Sequence, residues 1–140
     1  AVLHYLIPVI RWIDDKQQGR ERKKVVVSIE TLMDSFLNPL SSMHKAYEML
    51  IEKYDVYFIV PALTSDLQQG VEAQQWIGKY INAPAWNRVI LSNNPEMLYA
   101  DYIITSKKCP DFLGTVIDFG SDDFKTWESV ITFFDRLGGQ

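Results

Sequence analysis

The chain is predicted to be an α/β protein, a three-layer sandwich built on a parallel, doubly wound sheet. Three observations predict this. Val25, Val26 and Val27 form an apolar run with no alternation, the signature of a strand covered on both faces. Two more such runs follow at Val56-Tyr57-Phe58-Ile59-Val60 and Tyr102-Ile103-Ile104. Amphipathic helical stretches separate the first two runs and follow the second, and strands alternating with helices build parallel sheets.

In chain order, Leu3 to Ile13 reads as an apolar strand interrupted by Pro8, a residue suited to a sheet edge. The opening Ala1 to Ile10 lacks a basic lead and a small-residue cleavage site, so it is read as a strand rather than a signal peptide. Asp14 to Lys24 is a charge-mixed connector holding Arg20, Arg22, Lys23 and Lys24. It is read as a solvated loop, in preference to a phosphate or acidic-partner contact, and as a hairpin connection if the strands flanking it pair. Residues 1–23 are thus expected to be an added strand and basic loop, and 24–137 the core of a single domain. Lys24 to Ser28 is the central strand.

Ser41 or Ser42 is expected to cap a helix through Tyr54, with Ala46, Leu50 and Tyr54 on one face. Asp55 to Val60 is the second strand, stopped by Pro61. After a polar loop from Thr64 to Gly70, Val71, Trp76, Ile77, Tyr80 and Ile81 line the next helix, which Pro84 ends. Arg88 to Ser92, Tyr102 to Thr105 and Thr115 to Phe119 supply three further strands. A last helix is expected from near Asp122 to the Gly138-Gly139 stop, burying Phe124, Trp127, Val130, Ile131, Phe134 and Leu137.

Composition narrows the function classes. The formal charge of −4 argues against nucleic acid or an anionic membrane as partner. One cysteine, Cys109, makes no internal disulfide, and its neighbours offer no zinc spacing, so a cytoplasmic setting is expected. No apolar run is long enough to cross a bilayer. His4 and His44 are read as surface or packing histidines, because no carboxylate or nucleophile stands in a recognisable spacing to either.

The stretches Trp76-Ile77-Gly78-Lys79-Tyr80, Arg88-Val89-Ile90-Leu91-Ser92 and Asp101-Tyr102-Ile103-Ile104 carry a resemblance. Gly114, Gly120-Ser121, Phe124 and Trp127 extend it. From Lys24 to Leu137 the chain resembles the haloacid dehalogenase (HAD) superfamily, and within it the 5′(3′)-deoxyribonucleotidases. The resemblance implies a phosphohydrolase whose first strand ends in Asp-x-Asp, a nucleophile and an acid/base. It also implies a Thr or Ser on the second strand, a Lys on the third motif, and paired Asp ligands for Mg²⁺ on the fourth strand.

At those positions this sequence has Ser28 and Glu30, Val60, Pro95, and Thr105-Ser106. Serine without a base is a poor nucleophile, valine donates no hydrogen bond to phosphate, and Mg²⁺ prefers carboxylates. Charge cancellation dominates phosphoryl-transfer catalysis, and here its carriers are replaced together. The resemblance further implies a helical cap after the first strand, whereas Thr31 to Leu40 leaves room only for a loop. No catalytic residue, no metal and no cofactor are therefore expected. The expected function is a capless pseudoenzyme that binds a protein partner or itself. The alternatives are a 5′-nucleotidase-type hydrolase with a rebuilt site, and a nucleotide or phosphate sensor holding an anion through Ser28, Lys107 and Lys108.

Overall fold

The computed structural model describes residues 6–62 and 64–139. The elements run α1 (Leu6–Gln17), β1 (Lys24–Ser28), α2 (Met43–Lys53), β2 (Asp55–Val60), α3 (Leu67–Tyr80), β3 (Val89–Leu91), β4 (Tyr102–Thr105), β5 (Thr115–Asp118) and α4 (Trp127–Leu137). The five strands form one sheet in the order β3-β2-β1-β4-β5, and every pairing is parallel. The predicted α/β class holds, with β1 at the centre. Val25, Val26 and Val27 are all buried there.

The pleat sorts the strands into two faces. Val25 and Val27 join Val56, Phe58, Val60, Ile104 and Ile117 in the larger core, packed by residues of α2, α3 and α4. Val26, Ile59 and Ile103 point the other way and meet Cys109 and Phe112. That second face is covered by the connections 92–101 and 106–114, coil and the 3₁₀ turn Pro95–Met97, where the expected three-layer sandwich would have helices. On the helical side Ala46 and Leu50 of α2 and the capping Tyr54 that follows it are buried, as their spacing predicts. Trp127, Val130 and Phe134 are the buried stripe of α4. Trp127 also donates its indole N–H to the carbonyl of Thr31 at 2.7 Å, fixing the turn that leaves β1.

Several local expectations are corrected. From Leu6 to Ile13 the expected edge strand is the helix α1, and no hairpin forms among the described residues; Ala1 to Tyr5, including His4, lie outside them. Pro8 sits in the first turn, where a missing N–H costs nothing because no helical carbonyl stands four residues before it. Ser42 does not cap α2 through its side chain: its φ is +63°, and its hydroxyl donates to Glu128 at 3.2 Å. Val71 is exposed rather than packed, and the chain leaves α3 through Asn82 at φ +65° before reaching Pro84. α4 begins at Trp127, because a turn built on Gly120, whose N–H donates to Phe124 O, occupies the residues before it.

The basic connector is largely self-neutralised. Arg20 pairs with Asp14 and Asp15, and the buried Arg22 pairs with Asp15 and donates to Ile51 O. These guanidinium contacts hold the Asp15 carboxyl below its ordinary range. Arg88 pairs with Asp55 and lies over the rings of Trp12 and Tyr57, which pins α1 to the strand-start edge.

Candidate functional site

Parallel strands deliver all their C-terminal ends to one edge, and ligands of such sheets bind in the crevice beyond it. In this fold that edge carries Ser28, Val60, Ser92 and Thr105. Strand parity decides which of them face the same space. Ser28 and Thr105 share the side of Val26 and Ile103, whereas Val60 is fully buried in the helical core. Val60 therefore takes no part in the crevice. Ile59 and Pro61 face it in its place, so the expected assignment of Val60 to the site is corrected by the pleat.

The remaining positions singled out from the sequence converge. Ser28, Glu30, Pro95, Thr105, Lys107 and Lys108 line one cleft of about 410 Å³. Ser106 reaches the same place through Glu30. Oε1 of Glu30 accepts from the Thr105 hydroxyl at 3.2 Å, the Ser106 N–H at 3.2 Å and the Ser106 hydroxyl at 3.0 Å. The Thr105 oxygen in turn accepts the Lys107 N–H at 3.1 Å. Across the cleft, Asn93 clamps the ends of β2 and β3: Ala62 N–H donates to its Oδ1 at 2.9 Å, and its Nδ2 donates to Ala62 O at 3.0 Å.

The sequence reading missed Glu96, Asp111 and Asn93, which also line this cleft. They arrive on connections, where no periodic pattern marks a residue as inward-facing. Cys109 lines it too, and its thiol is pushed up by burial, with Glu96 and Glu30 adding to the effect. It is a protonated core thiol, not a thiolate nucleophile. Asp101, at the start of β4, lies at the opposite edge. It accepts the Lys24 N–H at 2.8 Å, a structural bond.

The chemistry available is limited. Among the described residues no histidine lines the cleft, so none of them offers Ser28 an imidazole base there. Magnesium wants several hard oxygens, mostly carboxylates. Glu30 is the acid at the ends of β1 and β4, and its Oε1 already faces three donors from Thr105 and Ser106. No group of three or more His, Cys, Asp or Glu side chains suited to a metal occurs among the described residues. This donor set does not fit Mg²⁺.

A second cleft, of about 460 Å³, adjoins the first and shares Glu30, Pro61 and Lys107 with it. Its wall is apolar: Met33, Leu37, Ala73 and Trp76. The Trp76 indole N–H donates to Leu37 O at 2.7 Å, which ties the loop after β1 to α3. Asp34 in that loop accepts the N–H groups of Phe36 and Asn38 at 2.8 and 2.9 Å, and its carboxyl is held below the usual range.

Comparison with known proteins agrees with the framework. A protein of Vibrio phage KVP40 described as a "Putative 5'(3')-deoxyribonucleotidase" is 28% identical over 100 residues, covering 69% of this chain and 59% of that protein. The chain is similar to a nucleotidase. The likeness is distant, and the chain spans 59% of the length of the curated relative it matches. It supports a nucleotidase-like hydrolase ancestry on an α/β fold. No family model matches the chain. No helix among the described residues is long and apolar enough to cross a membrane.

Proposed function

We propose that this chain is a capless pseudoenzyme of the HAD type, descended from 5′(3′)-deoxyribonucleotidases and acting by binding a protein partner or a second copy of itself. The observation that supports it is Glu30. It is the acid at the two strand ends where phosphoryl transfer would need several, and hydroxyl and amide donors from the neighbouring strand end occupy Oε1. Bringing a phosphate dianion to a nucleophile without a metal leaves their repulsion unscreened. Among the described residues no histidine lines the cleft to activate Ser28.

The test is phosphate release from deoxynucleoside monophosphates and from p-nitrophenyl phosphate in the presence of Mg²⁺. The expected result is no release above a protein-free control. Turnover that disappears in Glu30→Gln would instead establish a rebuilt hydrolase. That second reading has one specific support, the similarity to the phage nucleotidase. The anion-sensor reading rests on Ser28, Lys107 and Lys108, and Glu96 and Asp111 in the same cleft oppose it.

A further inference from the structure

We propose that the two adjoining clefts form a docking groove for a basic peptide segment of a protein partner, its cationic side chains set against acids and its apolar ones against Met33 and Leu37. The inference rests on the binding reading above and names the chemistry of the partner.

The first argument is charge. The groove carries Glu30, Asp34, Glu72, Glu96 and Asp111 against Lys107 and Lys108. Two positive and five negative groups leave −3, while the whole chain carries −4. Most of the molecule's excess charge is thus gathered along one crevice. Such a concentration attracts cations and repels phosphates, and like-charge juxtaposition is a strong means of rejecting the wrong ligand. The nucleotide ligand of the ancestral framework is the one this lining disfavours.

The second argument is the apolar half. Met33, Leu37, Ala73 and Trp76 offer a wall suited to side chains rather than to a small ion. Trp76 is 6% exposed and its N–H is held by Leu37 O, so the wall is already in place. A pre-formed wall lowers the ordering cost of binding. Phe36, between the lining residues Ser35 and Leu37, is 83% exposed. A peptide longer than the groove itself would cover it; a compact ligand would not.

The experiment uses the 140-residue chain and three probes: a capped decapeptide alternating leucine and arginine, the same peptide with glutamate for arginine, and deoxythymidine monophosphate. Binding is read by calorimetry at low and at 0.5 M salt. The expected result is binding of the arginine peptide at least tenfold tighter than the glutamate peptide, weakened by salt, with no heat from the nucleotide. Glu72→Lys and Asp111→Lys should each weaken it at least fivefold. Asp135→Lys, on α4 towards the opposite edge, makes the same charge change and should shift it less than twofold. Equal weakening by all three variants would reduce the effect to net charge and overturn the proposal. So would equal binding of the two peptides, or preference for the nucleotide. The phosphate-release assay separates the failures: no turnover and no peptide binding sinks only the groove, whereas turnover sinks the binding reading beneath it.

Discussion

The hydroxyl of Thr105 at the end of β4 donates to Oε1 of Glu30 just past the end of β1, at 3.2 Å, and the adjoining Ser106 donates to the same oxygen twice. An acid that accepts three hydrogen bonds is a structural tie between two neighbouring strands. Glu30→Gln keeps an acceptor oxygen and should cost under about 1 kcal/mol. Glu30→Ala leaves the donors without it and should cost about 1–2 kcal/mol, because part of the cluster reaches water. Urea midpoints of the two variants check this; equal losses would mean that the tie is worth nothing.

Trp127 presents a second tie, its N–H held at 2.7 Å by the buried carbonyl of Thr31. Trp127→Phe keeps most of the apolar volume but orphans that carbonyl. The expected loss is about 1–3 kcal/mol, read as a lower denaturation midpoint with an unchanged slope.

Two glycines separate space from conformation. A Cβ on Gly114 would stand 2.5 Å from Asp101 O and 2.6 Å from Ala100 O, both backbone atoms. Gly114→Ala should therefore destabilise by about 1–3 kcal/mol through overpacking. A Cβ on Gly78 meets nothing within 4 Å, and the residue is helical, so Gly78→Ala should stabilise by up to about 1 kcal/mol. Thermal melts of the pair should move in opposite directions.

Acid should weaken the fold through Asp15 and Asp34, whose carboxyls are held low by Arg20 and Arg22 and by backbone N–H donors respectively. The unfolded chain then binds more protons, so stability rises with pH. Their contribution is present above the unfolded carboxylate value of about 4 and is lost as pH falls through the lower folded values. Asp34→Asn should flatten the stability profile below about pH 4. A profile parallel to wild type there would count against the assignment.

Cys109 is held in the protonated form by burial and by Glu96 and Glu30. At pH 8 a disulfide reagent should label it far more slowly in the native protein than in urea. Glu96→Gln removes one of the opposing charges and should speed native labelling.

How much the sequence revealed depended on what each residue signals. Val25 to Val27, Val56 to Val60 and Tyr102 to Ile104 were legible because continuous β-branched and aromatic runs bounded by polar residues have few other meanings. α1 was not: Ile7, Val9, Ile10 and Ile13 are strand formers, and a short run apolar all round carries no period to tell helix from strand. In the structure Val9 packs on the core while Leu6, Ile7, Ile10 and Ile13 stay exposed. At the site, Ser28, Glu30 and Thr105 could be placed because strand ends are fixed by the strands. Val60 was misassigned because its orientation depends on parity, which a one-residue shift inverts. Glu96 and Asp111 were invisible because only tertiary folding brings their loops to the cleft.

The central place of β1 also bears on how the chain folds. One of its neighbours, β2, follows after a single helical excursion, whereas the other, β4, is separated from it by the β2–β3 half of the sheet. Closing the shorter loop loses less chain entropy, so the β1–α2–β2 unit is the natural early nucleus and the pairing with β4 the late step. Substitutions in Val56 or Phe58 should then slow folding, while those in Ile103 or Ile117 should chiefly hasten unfolding.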